Sequence, residues 1–178
     1  MVLLQELPRR EDSAAEQERD ACFFMREALR EAAEAAAAGE IPIGAIVERD
    51  GRIIGRGRNR TEGEKDPTAH AEIEAIRQAA KALGGWRLTA CRMYVTTEPC
   101  AMCAGALVLA RVDKVYIGTP NAKGGACVSL YNLLRDDRLN HRVEAEVGVL
   151  RDECEHIMKE FFARLRSKKR ARAEDDDQ

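Results

Sequence analysis

The sequence predicts one α/β domain in which a mixed five-stranded sheet lies between two layers of helices. Its 178 residues are enough for a single hydrophobic core and too few for two cores of ordinary size. Two β-branched runs that flank a tight-turn dipeptide predict an antiparallel hairpin early in the chain. The later strands alternate with helices, and parallel neighbours in a sheet need such crossover helices. Together these observations predict a three-layer α/β/α architecture.

The N-terminal part of the chain predicts an arm followed by a helix. Residues 1–19 are polar, alternate in charge and contain Pro8, so we expect a loosely ordered N-terminal arm. Residues 20–38 are rich in alanine and other strong helix formers, with apolar residues near helical spacing. Gly39 follows where a left-handed C-terminal cap is expected. The first helix is therefore predicted over 20–38.

A hairpin is predicted directly after the first helix. The stretch "IGAIVERDGRIIGRG" places Asp50-Gly51 between two β-branched runs, and this dipeptide favours a two-residue turn. We expect the two strands of the hairpin over 43–49 and 52–58.

The rest of the domain is predicted as strands that alternate with helices. Asp66-Pro67-Thr68 and Pro99 interrupt the chain just before two helical stretches, and Gly84-Gly85 closes the first of them. A glycine-rich loop, "NAKGGA", and a short segment over 130–134 precede the last strand. The expected helices are 70–83, 100–111 and 151–166, and the expected strands are 91–98, 113–118 and 143–147.

The C-terminal charges are unevenly distributed. Residues 164–172 contain six bases and no acid, and four acids follow at 174–177, although the net charge of the chain is only −2. The basic run suits a phosphate backbone, but such a run is also typical of a solvated helix end. We expect residues 167–178 to form a mobile tail that is first basic and then acidic.

The N-terminus predicts neither a signal peptide nor a membrane-spanning helix. It has one short apolar patch and no cleavage site of small residues. We therefore expect a cytoplasmic protein without a membrane partner. In the reducing cytoplasm, the six cysteines are more typical of metal binding or catalysis than of disulfide bonds.

Two short motifs place metal-binding side chains at the starts of two predicted helices. His70 and Glu72 are about 200° apart around a helix axis, so they can face one object only beyond the helix end. Cys100 and Cys103 are nearly one turn apart and share a helix face. A helix N-terminus favours the thiolate, which is the form of cysteine that binds metal. One imidazole and two thiolates predict a tetrahedral zinc site whose fourth position is left for water.

Two other interpretations of the cysteine pair stay open on the residues alone. A redox Cys-x-x-Cys pair would leave the His-x-Glu motif unexplained. A closed structural zinc site needs a fourth protein ligand, and structural sites usually contain a second ligand-spaced pair, which the sequence lacks. An open catalytic zinc site accounts for both motifs and is our expectation. The candidates for a fourth ligand are His141, His156, Cys91, Cys127 and Cys154.

We expect Glu72 beside the metal and not among its ligands. Two thiolates neutralise the formal charge of Zn²⁺, so a bound water is acidified less than at a site with three imidazoles. A neighbouring carboxylate is then needed to take a proton from the water and to pass it to the substrate.

The motifs resemble those of a known enzyme family. His70-Ala71-Glu72 with Pro99-Cys100-Ala101-Met102-Cys103 resembles the signature of the zinc-dependent nucleobase deaminases. The stretches "DPTAHAEIEAIRQA", "YVTTEPCAMCAGALVLARV", "NHRVE" and "GVLRDECEHIMKEFF" are similar to the bacterial tRNA adenosine deaminases. The resemblance implies a cytidine-deaminase-like domain over 20–166 and a homodimer. It also implies hydrolytic deamination of the wobble adenosine in a tRNA anticodon stem-loop to inosine, with release of ammonia.

The same resemblance implies roles for individual residues. It implies one Zn²⁺ per subunit, held by His70, Cys100 and Cys103, with Glu72 as the catalytic proton carrier. Asn59 would hydrogen-bond the inserted base, and the backbone of Ala71 with Ile41-Pro42 would help to shape its pocket. The full set of implied substrate contacts is Asn59, Ala71, Ile41, Pro42, Asn121 and Lys123.

Asn121 stands where we expect an acidic residue in this family, next to the sugar and phosphate of the substrate. An aspartate there would accept a hydrogen bond from a ribose 2′-hydroxyl and repel phosphate, whereas Asn keeps an acceptor without the charge. We therefore expect weaker discrimination between RNA and single-stranded DNA than an aspartate would give.

Two other functions compete with tRNA editing. A deaminase of guanine, or of another free base or nucleotide, could use the same scaffold, but the basic C-terminal helix and "NHRVE" favour RNA. A non-catalytic zinc-binding RNA module would have no use for Glu72 beside three ligands.

Overall fold

The computed structural model describes the backbone of residues 14–176 and the side chains of residues 18–171. Within these residues, the strands are β1 (Gly44–Arg49), β2 (Arg52–Arg58), β3 (Arg92–Thr97), β4 (Lys114–Thr119) and β5 (Glu144–Val147). The helices are α1 (Ala14–Ala37), α2 (Thr61–Glu64), α3 (Ala71–Leu83), α4 (Ala101–Ala110) and α5 (Arg151–Asp176), and a 3-10 turn covers Leu133–Arg135.

The five strands form one mixed sheet in the order β2-β1-β3-β4-β5. β1 pairs antiparallel with β2 and with β3, whereas β4 pairs parallel with β3 and with β5. Asp50 and Gly51 connect β1 to β2 with φ values of 51° and 78°, as a two-residue hairpin turn with two left-handed residues requires. The expected mixed five-stranded sheet is confirmed.

Helices cover both faces of the sheet. α1 and α5 pack on one face, and α3 and α4 pack on the other. The side chains of β3 alternate accordingly, since Met93 and Val95 join the core under α3 and α4, whereas Tyr94 joins the core under α1. The expected three-layer α/β/α arrangement is confirmed.

Glycines in β2 allow α3 to lie directly against the sheet. A Cβ at Gly57 would lie 2.0 Å from the carbonyl oxygen of Ala71, and one at Gly55 would lie 2.3 Å from that of Ala75. No side chain fits in that space, so this close approach depends on glycine. It places the start of α3 beside the end of β2.

Both terminal helices are longer than the sequence predicted. α1 begins at Ala14, so residues 14–19 are helical and do not belong to a loose arm; the rest of that arm, residues 1–13, lies outside the described residues. α5 continues to Asp176, whereas we expected it to end near 166. Apolar spacing stops at that point, but Gly and Pro are absent from 167–176, so helix propensity alone carries the helix onward. The mobility of the tail stays a prediction.

α2 was not predicted, because its sequence "TEGE" contains a glycine and is too short to show a period. In the part of the chain that the structure describes, no helix is long and apolar enough to cross a membrane.

Candidate active site

The starts of α3 and α4 carry the three predicted metal ligands. His70 is the N-terminal capping residue of α3, Cys100 is that of α4, and both have extended backbone conformations. Cys103 lies in the first turn of α4. Nδ1 of His70 is 3.7 Å from Sγ of Cys100 and 3.6 Å from Sγ of Cys103. The two motifs, which are 30 residues apart between His70 and Cys100, therefore meet at one point.

The distances within this cluster suit a tetrahedral zinc ion. Zn–N bonds of about 2.1 Å and Zn–S bonds of about 2.3 Å at a tetrahedral angle place N and S about 3.6 Å apart. The two observed distances from His70 agree with that value. All three ligand atoms lie within 4.8 Å of one another. An imidazole with two thiols is also a donor set that zinc prefers.

The two thiols of the cluster differ in acidity. Hydrogen bonds from Cys103 and from His70 lower the pKa of Cys100 to about 3. The same interaction with Cys100, together with burial, raises the pKa of Cys103, and the hydrogen bond with Cys100 raises the pKa of His70. One thiol therefore ionises readily, and a divalent cation between the two is what allows both to be thiolates.

The structure gives little support to a closed site with four protein ligands. Among the described residues, no fourth His, Cys, Asp or Glu joins the cluster of three. Cys91 and Cys154 are buried in the apolar cores, where burial raises the pKa of Cys91 to about 11 and that of Cys154 to about 12. The ring of His141 is occupied elsewhere, since its Nε2 lies 2.8 Å from the carbonyl oxygen of Val112.

Glu72 is the second residue of α3 and is buried beside the cluster. Its Oε2 has no hydrogen-bond partner among the described residues. Burial raises the pKa of this carboxyl, and the nearby charge of His70 partly offsets that effect. Buried polar atoms in folded proteins nearly always have a partner, so the free oxygen indicates an atom that serves a ligand.

A cavity of about 500 Å³ contains several of the predicted substrate contacts, although the metal-binding side chains and Glu72 do not line it. Ile41, Asn121 and Lys123 line it, together with side chains from the first turns of α5. Pro42, Ala71 and Asn59 are not among its lining residues, and all three are buried. The structure therefore divides the predicted contacts between the wall of the cavity and buried positions outside that wall. The lining residues from α5 are Glu155, Met158, Lys159 and Phe162.

The loop over 120–129 is organised by Glu98, a buried residue that we did not predict as functional. One carboxylate oxygen, Oε2, accepts from the backbone N–H of Asn121 at 2.8 Å and from the hydroxyl of Ser129. Oε1 accepts from the backbone N–H groups of Cys127, Val128 and Ser129 at 2.8–3.1 Å. Burial would raise the pKa of Glu98, but these hydrogen bonds together hold it below its ordinary value.

Glu40 is a second buried carboxylate that we did not predict. It accepts hydrogen bonds from the first backbone N–H groups of α2 and from the side chain of Asn59. Glu40 directly precedes the predicted substrate contacts Ile41-Pro42, and Glu98 directly precedes Pro99-Cys100 at the start of α4. The only signal in the sequence was an acidic residue in an otherwise apolar stretch.

Comparison with known proteins assigns the domain to a family of deaminases. Residues 19–166 match the family model described as MafB19-like deaminase. The chain is 49% identical over 149 residues to the tRNA-specific adenosine deaminase of Bacillus subtilis (strain 168), covering 84% of this chain and 92% of that protein. It is 46% identical over 145 residues to the enzyme of the same name from Aquifex aeolicus (strain VF5), covering 82% and 95%.

Two solved structures support the same grouping. One comes from a study of A-to-I editing by tRNA:A34 deaminases at the wobble position of transfer RNA. It superposes with a TM-score of 0.73 and 43% identity over 76% of this chain and 98% of that chain. The guanine deaminase of Bacillus subtilis has a TM-score of 0.53 and 43% identity, and covers only 55% of this chain and 63% of its own.

Proposed function

The chain belongs to the MafB19-like deaminase family, among its tRNA-specific adenosine deaminases, and we propose that it converts the wobble adenosine of a tRNA anticodon to inosine. The reaction is hydrolytic: water replaces the amino group at C6, and ammonia leaves. The near full-length similarity to enzymes of that name supports this substrate over a free base. A tRNA substrate also supports a cytoplasmic location.

The observation that carries the proposal is the free carboxylate oxygen of Glu72 beside three metal-binding side chains. Hydrolysis of an amine needs a group that takes a proton from water and later gives a proton to the leaving nitrogen. Glu72 can do both, because its Oε2 makes no hydrogen bond within the described part of the chain. A structural metal site has no need for such a group.

We assign one Zn²⁺ per subunit to His70, Cys100 and Cys103, on the basis of their donor atoms and distances. When bound, the ion supplies the Lewis acidity that makes a water molecule nucleophilic. The chain itself holds the ligands at two helix N-termini, whose dipoles favour thiolates. Glu72 then moves two protons in turn: one passes from the water to a ring nitrogen of the base, and the second passes from the hydroxyl that has added to C6 to the departing amine.

Contacts outside the base pocket favour RNA as the substrate. α5 contributes Phe162 and Lys159 to the wall of the cavity. Phe162 is 38% exposed, so its ring is available for stacking on an unpaired nucleotide. The six bases between 164 and 172 extend along the same helix and suit RNA phosphates. A free-base deaminase would have no use for this surface.

The remaining substrate contacts are assigned by position. Ile41 and Lys123 line the cavity and are proposed to contact the nucleotides next to the target adenosine. The backbone of Ala71 and the ring of Pro42 are proposed to shape the base pocket between α3 and β1. Asn59 is proposed to hydrogen-bond the target nucleoside, and Asn121 to face its sugar and phosphate.

We also propose a homodimer. Four large apolar side chains are exposed on α4 and on the loop that packs beside it. Leu109 is 72% exposed, Tyr131 60%, Leu130 54% and Val128 50%. Three of the four lie within residues 128–131, and exposed apolar side chains of this size are typical of a protein interface. A second copy of the chain is the partner that the resemblance to homodimeric enzymes implies.

A substrate comparison tests the proposed function. The protein is incubated with an anticodon stem-loop RNA that has adenosine at the wobble position, with free adenosine and with free guanine. Inosine and xanthine are then measured by liquid chromatography and mass spectrometry. We expect inosine from the stem-loop and no xanthine from guanine. Xanthine formation without editing of the stem-loop would overturn the proposal.

A further inference from the structure

A buried carboxylate lies between α2 and Asn59. Glu40 is only 3% exposed, and both of its oxygens accept backbone hydrogen bonds. Oε1 accepts from Gly63 N at 2.7 Å, and Oε2 accepts from Glu62 N at 3.2 Å. A carboxylate held in this way can only accept further hydrogen bonds, so any other group that approaches Oε2 must be a donor.

Asn59 directs its amide nitrogen toward this carboxylate. Nδ2 donates to Oε2 of Glu40 at 3.4 Å and to Oγ1 of Thr61 at 3.1 Å. The hydroxyl of Thr61 in turn donates to Oε2 of Glu40 at 3.4 Å, so toward Asn59 it acts as an acceptor. Both hydrogens of the Asn59 amide are therefore engaged, and the reversed amide would place Oδ1 against Oε2 of Glu40, which can only accept.

The backbone at Asn59 is hydrogen-bonded to a residue that lines the cavity and, through the next residue, to the residue before His70. The N–H of Asn59 donates to Ile43, which lines the cavity, and the next residue, Arg60, donates to the carbonyl of Ala69, next to His70. The side chain is 3% exposed, and no hydrogen bond to Oδ1 occurs among the described residues. Oδ1 is thus the one polar atom of this side chain that is free for a ligand.

We infer that Glu40 is a positioning residue that fixes the Asn59 amide so that Oδ1, a hydrogen-bond acceptor, faces the target nucleoside. The inference rests on the proposed function. The ring nitrogens of adenine that are free for hydrogen bonding in a nucleoside are acceptors, so Oδ1 selects a donor of the nucleoside: the exocyclic amine or a ribose hydroxyl. Glu40 thereby determines that Oδ1 of Asn59, and not Nδ2, faces the substrate.

Exchanging the two groups tests this arrangement directly. In Asn59→Asp, a second carboxylate lies next to Glu40, and we expect kcat/KM for stem-loop editing to fall about 100-fold, as for loss of a hydrogen bond to a charged group with added repulsion. In the double variant Glu40→Gln/Asn59→Asp, the glutamine oxygen keeps the hydrogen bond from Gly63 N, and the glutamine amide donates to the aspartate at the loss of the bond from Glu62 N. The second oxygen of the aspartate still faces the substrate as an acceptor. We expect the double variant to recover to within about tenfold of the natural protein.

A double-mutant cycle keeps the inference testable if Asn59→Asp does not fold. Glu40→Gln should lower kcat/KM about tenfold in the natural protein and have no further effect in Asn59→Ala, because it acts through Asn59. The inference is overturned if the losses of kcat/KM from Glu40→Gln and Asn59→Ala multiply when the two substitutions are combined. It is also overturned if Glu40→Gln/Asn59→Asp is no more active than Asn59→Asp. The proposed function would be unaffected, since it depends on editing by the natural protein.

Two further arms complete the design. Glu40→Gln/Asn121→Asp is the matched control, because it introduces the acid elsewhere on the site. Its kcat/KM should be no higher than that of Glu40→Gln alone. A stem-loop with 2′-deoxyadenosine at the target position separates the two donors. If the Asn59→Ala defect disappears on this substrate, the donor is the 2′-hydroxyl; an unchanged defect supports another donor, chiefly the exocyclic amine.

Discussion

The metal-binding side of the site and its substrate-facing rim, the segments around Asn59 and Asn121, are held in place by different interactions. The three ligand side chains lie at the starts of α3 and α4, and both helices are packed into a continuous apolar core. Asn59 and Asn121 lie in irregular segments, and each hydrogen-bonds one buried carboxylate, Glu40 or Glu98. Ligand geometry therefore depends on many packing contacts, whereas rim geometry depends on a few hydrogen-bond acceptors.

The difference between the two regions predicts how each one fails. A metal-binding side chain can be substituted without moving its helix, because the apolar core still holds the helix in place. Removal of a rim carboxylate leaves several backbone N–H groups without an acceptor, so the segment itself should move. The following substitutions separate these two outcomes, in order of decreasing effect on activity.

Cys103→Ala tests the metal-binding side. It removes one ligand at the start of α4, and we expect loss of bound zinc and at least a 10³-fold fall in editing, since metal catalysis contributes several kcal/mol. Far-ultraviolet circular dichroism should stay unchanged, because packing holds α4. Metal content is measured by inductively coupled plasma mass spectrometry. Cys22→Ala, on the other face of the sheet, is the control and should keep zinc and activity. Full zinc retention in Cys103→Ala would refute the ligand assignment.

Glu98→Gln tests the rim. If the glutamine oxygen accepts from residues 127–129, its amide nitrogen faces the N–H of Asn121, which is also a donor. We expect a loss of about 1–3 kcal/mol in the free energy of unfolding and about a tenfold to 100-fold lower kcat/KM, with zinc retained. Chemical denaturation and editing assays check both. The exposed Glu153→Gln is the matched control.

The pH dependence of stability gives an independent check on Glu98. Its folded pKa lies below the ordinary value, so its contribution is present at neutral pH and is lost as the pH falls below about 4.3, the usual glutamate pKa. The difference in unfolding free energy between the natural protein and Glu98→Gln should therefore shrink as the pH is lowered through this range. A constant difference would mean that the carboxylate form is not what organises the loop.

Asn121→Asp should have the smallest effect on the overall rate and should instead change selectivity. Oδ1 of Asn121 already accepts from the backbone of Lys123 and Gly124, so an aspartate keeps the loop and adds a charged oxygen toward the substrate. We expect the ratio of rates on matched RNA and DNA hairpins to rise about fivefold, the equivalent of one additional hydrogen bond of roughly 1 kcal/mol. The same substitution at the exposed Asn132, Asn132→Asp, is the control. An unchanged ratio in Asn121→Asp would contradict the role of this position.

The same comparison explains which parts of the site could be predicted from the sequence. His70, Cys100 and Cys103 belong to local motifs, and capping and turn residues alone place each motif at the start of its helix. The alternation of strands and helices likewise gave the sheet and its layers. These features depend on spacing within a few residues, which is what a sequence displays.

The two rim carboxylates could not be predicted in this way, because their partners are remote in the sequence. Glu98 bonds residues 23–31 positions later, and Glu40 bonds residues 19–23 positions later. The short helix α2 depends on Glu40 for its first N–H groups and has little helix propensity of its own. The start of α1 was misplaced because residues 1–19 are polar and alternate in charge, which indicated an arm. The end of α5 was misplaced because apolar spacing stops near 166, whereas helix propensity continues.

The central claim is that Glu72 carries the proton and that three other side chains hold the metal. Glu72→Gln keeps the size of the side chain and removes its ability to accept and return a proton. Zinc content and inosine formation in an anticodon stem-loop are measured for this variant and for the natural protein. We expect about one zinc per chain in both and a fall in editing of about 10²- to 10⁴-fold in the variant. Loss of zinc would make Glu72 a ligand, and editing at the natural rate would show that the proton takes another route.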